Sequence, residues 1–294
     1  MNPQLPSKVG PHYRVPWRDT DPTAIYINAS LNELYGKQGR SEKEAAARFG
    51  RYQSAKYNFE MDAAVAIVNE VLKNSVIDKI VDRMIAVNKP AIVVHPYPEY
   101  DAGTGEITAQ TPLKNALPFA FAHTLAQELG CEVDQEIVEI ARPGRTKLNI
   151  YERFLWQPKF SGAVKTSHAY ILVDDVCTIC GTFAALRSHI VEHGGTVMAI
   201  SALSYANGVH MQFPIAEATL RMVRNTYGPE IDVFWKEEIG HDISCLTEAE
   251  GQRLIGYHIQ NCAGRTGAGA LQLLRDRIAE AAQNGGRSTG ERSR

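Results

Sequence analysis

Two adjacent acids, Asp174 and Asp175, end an apolar run beginning at Ala169, and Val176-Cys177-Thr178-Ile179-Cys180-Gly181-Thr182 leads from them into a helical pattern. In open parallel sheets ligands bind beyond the carboxyl ends of the strands. A loop entering a helix there presents backbone N–H groups, and the helix dipole favours an anion. Thr178 and Thr182 add hydroxyl donors, and Gly181 allows close backbone approach. Carboxylates repel phosphate, so the acids suit sugar hydroxyls or a hard cation such as Mg²⁺. The unit therefore reads as a site for a phosphorylated sugar, with phosphate in the loop and ribose hydroxyls on the acids. The plainer reading is structural: Asp174 ends a strand and Asp175 caps a turn.

Other groups carry less. Cys177-Thr-Ile-Cys180 has C-x-x-C spacing before a helix, but acids directly upstream would raise a thiol pKa rather than lower it. No second C-x-x-C or H-x-x-H exists to complete a zinc site. Gly264-Arg-Thr-Gly267-Ala-Gly269 lacks the Gly-Lys-Ser/Thr ending of a phosphate loop and reads as a link between helices. His95 ends an apolar strand, where a satisfied structural histidine is the ordinary case.

The elements that must position the acids alternate. AIVVHP (91–96), QEIVEIA (135–141), HAYILVDDV (168–176), TVMAISALS (196–204) and IDVFW (231–235) read as strands; 115–130, 181–195 and 215–228 read as helices. Such alternation implies βαβ crossovers and a mainly parallel sheet. Before it, residues 25–34 fit either a short strand or a helical turn. Ser41 with Glu44 forms a capping box, and apolar spacing continues from Met61 to Val87 with a break at Asn74-Ser75. After it, Thr247 with Glu250 caps another helix, and a last helix spans about 269–283. The expected organisation is a mostly helical N-terminal region (1–88), a core (89–236), a helical C-terminal extension (237–283) and a disordered tail (284–294).

The 294 residues carry 31 Lys+Arg against 33 Asp+Glu, a net charge of −2, with 44% hydrophobic residues. That composition excludes a disordered chain. No run approaches the roughly 18–20 apolar residues of a membrane span. The balanced charge gives no support for charge-driven nucleic-acid binding, though it leaves room for a local basic patch. The start has no basic-then-apolar signal pattern, and five scattered cysteines are no disulfide framework, so a cytoplasmic location is expected.

Tyr170-Ile-Leu-Val-Asp174-Asp175-Val-Cys-Thr178-Ile-Cys-Gly181-Thr182 resembles the phosphoribosyl-pyrophosphate (PRPP) motif of type I phosphoribosyltransferases. VHPYP with NALPFAFAHTLAQELG, and the basic segment 142–162 with its Glu152-Arg153 pair, resemble the bacterial competence-associated, ComF-like members. The resemblance covers about residues 90–205. It implies an open, mainly parallel Rossmann-like α/β sheet with extra N- and C-terminal helices. Asp174 and Asp175 would hold ribose hydroxyls and organise Mg²⁺, and residues from Val176 through Thr182 would hold the 5′-phosphate. His95, Pro96 and Tyr97 would lie near the pyrophosphate, with Arg142, Arg145 and Lys147 on a segment closing over it. The implied reaction moves the phosphoribosyl group to a nitrogen acceptor, unidentified, with release of pyrophosphate; a homodimer is a further expectation. The alternative is a PRPP- or nucleotide-binding regulator, or a DNA-handling accessory protein, without transferase activity.

Two departures bear on this. Ile179 replaces a phosphate-binding Thr, a lost hydrogen bond worth about 1.5–3 kcal/mol. Cys180 replaces a Gly, which costs about 1–3 kcal/mol if that position needs positive φ. The zinc-binding cysteine cluster of the ComF-like group is also missing, since no cysteine precedes Cys131.

Overall fold

The computed structural model describes residues 14–37, 41–97, 114–141, 148–206, 211–261 and 264–284. Arg142, Arg145 and Lys147, most of the loop after His95, and residues 285–294 of the expected tail lie outside them.

The ambiguous stretch at 25–34 is both things: β1 (Tyr26–Ser30) runs straight into α1 (Leu31–Leu34), and Ser30 with Glu33 forms the reciprocal cap between them. α2 (Glu42–Tyr57) starts at the Ser41/Glu44 box. α3 (Met61–Val71) and α4 (Asn74–Val87) are the two halves of the periodic stretch, broken just before Asn74. β2 (Ala91–Val94) follows, then α5 (Leu117–Leu129), which closes at Gly130 in the left-handed region (φ 64°) where glycine has no Cβ penalty. Next come β3 (Glu132–Val133), β4 (Val138–Ala141), α6 (Ile150–Leu155), β5 (Lys159–Ser161), β6 (Ala169–Cys177), α7 (Gly181–Glu192) and β7 (Thr196–Tyr205). Four α-helices follow among the described residues: α8 (Glu217–Tyr227), α9 (Glu230–Glu238), α10 (Glu248–Asn261) and α11 (Ala268–Asn284).

The main sheet has the order β1-β7-β6-β2-β3, with every pairing parallel. β6 is its middle strand, and residues 169–173 are fully buried on both faces, which is why they read as one unbroken apolar run. Alternate side chains go to opposite layers. Ala91, Val93, Ile171 and Val173 pack with α2–α5, and Ile92, Val94, Tyr170 and Leu172 pack with α7 and with Ile25. A third apolar cluster joins α6 and α8–α11, with Phe154, Tyr227 and Trp235 among its buried aromatics. Each such large side chain contributes roughly 1.5–3 kcal/mol on burial. No helix among the described residues is long and apolar enough to cross a membrane.

Two expected strands differ. Residues 231–235 are helical, because Ile231, Phe234 and Trp235 recur at i, i+3, i+4 and bury together; their β-branched and aromatic types misled the strand reading. In 135–141 only Val138–Ala141 is strand, and it pairs antiparallel with β5 in a separate two-stranded sheet. The short β3 takes the parallel edge beside β2 instead. The N-terminal region contributes β1 to the main sheet as well as helices.

Candidate functional site

The chain order of the sheet reverses beside β6. From β2 the chain steps outward to β3, then returns to place β6 on the other side of β2 and β7 beyond it. The crevice at such a reversal, outside the carboxyl ends of the strands, is where doubly wound sheets hold ligands. Two expected segments end there. His95-Pro96-Tyr97 leaves β2, and Asp174 and Asp175 sit near the end of β6.

Asp175 continues the face of Ile171 and Val173, toward the N-terminal helices, and is buried at 4% exposure. Its Oδ2 accepts from the Lys56 ammonium at the end of α2 and from Asn115 Nδ2 at 3.1 Å. Its Oδ1 accepts from the Val176 N–H at 2.8 Å. Burial alone would raise this carboxyl; the Lys56 charge and these hydrogen bonds outweigh it and hold it below the usual carboxylate range. Asp174 is half-buried, and its Oδ1 accepts from the Asp175 N–H at 2.8 Å.

The loop follows at once. Val176 is partly buried and Cys177 is buried at the strand end. Thr178 Oγ1 accepts from Arg153 Nη1 at 3.0 Å, so α6 delivers a guanidinium to the loop. Ile179, 3% exposed, packs into the C-terminal cluster, and its carbonyl accepts from Thr247 Oγ1 at 2.7 Å. Cys180 has φ 62° and ψ 14°, so the position does need the left-handed conformation and a non-glycine residue holds it. Gly181 and Thr182 open α7.

Thr247 in turn forms the cap of α10. Its N–H donates to Glu250 at 2.9 Å, and Glu250 N–H donates to its Oγ1 at 3.2 Å. Arg14 grips Glu250 with two hydrogen bonds, at 2.5 and 2.8 Å. The capping box legible in the sequence therefore also props the loop at Ile179.

Cys177, Cys180 and His95 are all buried. The Cys177 thiol hydrogen-bonds Cys180, and that contact with burial pushes the Cys180 thiol well up, opposite to a redox nucleophile. His95 is buried, and desolvation depresses its pKa to about 4, so it is neutral. Its ring contacts Tyr97 (centroids 5.5 Å apart) and Phe119 (5.7 Å) edge-on.

Lys56 and Asn115 were missed by the sequence reading. They lie 119 and 60 residues from Asp175, and nothing in the local sequence of either links it to the acids. Three donors already occupy most of the roughly four acceptor directions of Asp175. Among the described residues no group of three His, Cys, Asp or Glu is arranged to hold a metal.

No family model matches the chain. It is 30% identical over 268 residues to protein TraN of Escherichia coli, covering 91% of this chain and 51% of that protein. It is 26% identical over 141 residues to an uncharacterized protein of Haemophilus influenzae, covering 48% of this chain and 29% of that one. The chain thus spans about half the length of the first relative and under a third of the second. Among solved structures it is similar to an adenine phosphoribosyltransferase at 17% identity and TM-score 0.24, over 46% of this chain and 72% of that one. The Saccharomyces cerevisiae enzyme gives 16% identity and TM-score 0.25, over 46% and 71%. The ComF-like resemblance finds no support among these, and likeness at such TM-scores is too slight to build on. The fold class rests on the parallel sheet itself.

Proposed function

We propose that the chain binds PRPP, with the ribose at Asp174, the 5′-phosphate against residues 176–182, and the pyrophosphate toward His95-Pro96-Tyr97. The supporting observation is placement: the acids and the loop into α7 stand at the strand-order reversal between β2 and β6. Asp174 accepts hydrogen bonds from ribose hydroxyls. The loop N–H groups and the α7 dipole hold the phosphate. Arg153, already on Thr178, adds positive charge at the loop.

The transfer reading follows from such binding. A nitrogen nucleophile forms a bond to the anomeric carbon, the bond to the pyrophosphate oxygen breaks, and the nucleophile's proton leaves. Groups that stabilise charge growing on ribose and pyrophosphate lower the barrier. The acceptor is a nitrogen compound of unassigned identity.

A second reading, a PRPP-binding regulator without transfer, is favoured by one feature. The loop is packed by the chain's own contacts, with Ile179 and Cys180 only 3% and 5% exposed.

Titration calorimetry of PRPP with Mg²⁺ against wild type and Asp174→Asn tests the binding. Saturable binding that weakens at least about tenfold in the variant is expected, because hydrogen bonds to a charged group are lost. Absence of binding, or equal binding by both, would refute it. Pyrophosphate release in a screen of nitrogen acceptors then separates transferase from regulator.

A further inference from the structure

We propose that Lys56 stands in for a divalent cation at Asp175, so that PRPP is bound without a metal ion at that acid. This rests on the PRPP reading and specifies how that site handles charge. The ion pair is enclosed: the Lys56 and Asp175 side chains are 20% and 6% exposed. Its geometry is fixed from outside. Ala116 N–H donates to the Ala55 carbonyl, and Phe59 N–H donates to the Lys114 carbonyl, both at 2.9 Å, which laces the end of α2 to the segment before α5. Asn115, between those ties, adds its own hydrogen bond to Asp175 at 3.1 Å.

Mg²⁺ needs carboxylate oxygens free to coordinate at about 2.0–2.1 Å, with the rest of its shell supplied by water and substrate phosphates. Asp175 Oδ2 already takes two donors and Oδ1 one. A divalent ion there would stand beside the Lys56 ammonium and repel it. The ammonium is a compact charge that holds Asp175 as a small cation would. Lys56 thus neutralises Asp175, and Arg153 on Thr178 adds positive charge at the loop that follows.

The test is PRPP calorimetry in EDTA and in millimolar Mg²⁺, on wild type, Lys56→Met and Lys56→Arg. Wild type is expected to hold PRPP in EDTA within about tenfold of its affinity in Mg²⁺. Lys56→Met should lose at least about a further tenfold in EDTA and recover in Mg²⁺, while Lys56→Arg keeps the wild-type pattern. Wild-type binding that collapses in EDTA overturns the inference and leaves the PRPP reading standing; that comparison needs no variant to fold. Equal EDTA sensitivity in wild type and Lys56→Met also overturns it. Absence of PRPP binding in both media refutes the PRPP reading itself, and this inference with it.

Discussion

Glu250→Gln removes one charge from a buried pair and leaves the shape of the side chain. Arg14 and Glu250 are each 1% exposed, joined by hydrogen bonds of 2.5 and 2.8 Å. In the variant the Arg14 guanidinium stays buried without a counter-charge, and one of its donors faces an amide N–H. Breaking a buried pair in this way costs about 3–5 kcal/mol, a large part of the roughly 5–15 kcal/mol that holds a typical domain. With a urea dependence of about 2–3 kcal/mol per molar for a chain of this size, the midpoint should fall by about 1–2 M. The acid limb supplies a second reading. Arg14 holds the Glu250 carboxyl below its usual 4.5 despite the opposing effect of burial. A depressed carboxylate stabilises fully above its unfolded pKa and loses that contribution as pH falls through the lower folded value. Circular dichroism against urea, at pH 7 and stepwise below pH 4.5, should show wild type losing this increment on acidification and the variant lacking it throughout. A midpoint within about 0.3 M of wild type at pH 7 would refute the view that this pair clamps the C-terminal cap onto the loop at Ile179.

Other outcomes follow from the same structure. Tyr170→Phe should destabilise by about 1–3 kcal/mol in thermal unfolding, since the hydroxyl donates to Asp134 at 3.0 Å and accepts from the Lys165 N–H at 2.8 Å. His95 and His241 are both depressed from 6.5 to about 4 by burial, so the unfolded chain binds more protons between those values. Stability should fall from pH 6.5 toward pH 4 by about 3 kcal/mol for each, and His241→Asn should flatten part of that slope. Cys180 should resist thiol labelling in the native protein at pH 7 and react only on unfolding, because burial and its Cys177 contact keep it protonated. Rapid native labelling at Cys180 would contradict that account.

What could be read from the sequence was what local physics decides. β2, β6 and β7 announce themselves because buried parallel strands need apolar residues on both faces, as at Ala169–Val173. The helix caps at Ser41 and Thr247 were legible because their partners lie three residues away. The strand reading of 231–235 failed because β-branched and aromatic types outweighed an i, i+3, i+4 spacing in so short a window. β3 is two residues long and has no periodicity to show. The acids and the loop were legible as a unit. Their partners were not: Lys56, Asn115 and Arg14 reach the site only through tertiary packing. The left-handed Cys180 was foreseen as a condition, and the structure meets it with φ 62°.

The most direct test of the central claim is a diffraction structure of the chain crystallised with PRPP. The account predicts the 5′-phosphate against the N–H groups of residues 178–182, with the ribose hydroxyls at Asp174. PRPP bound elsewhere, with residues 174–182 touching none of it, would contradict it.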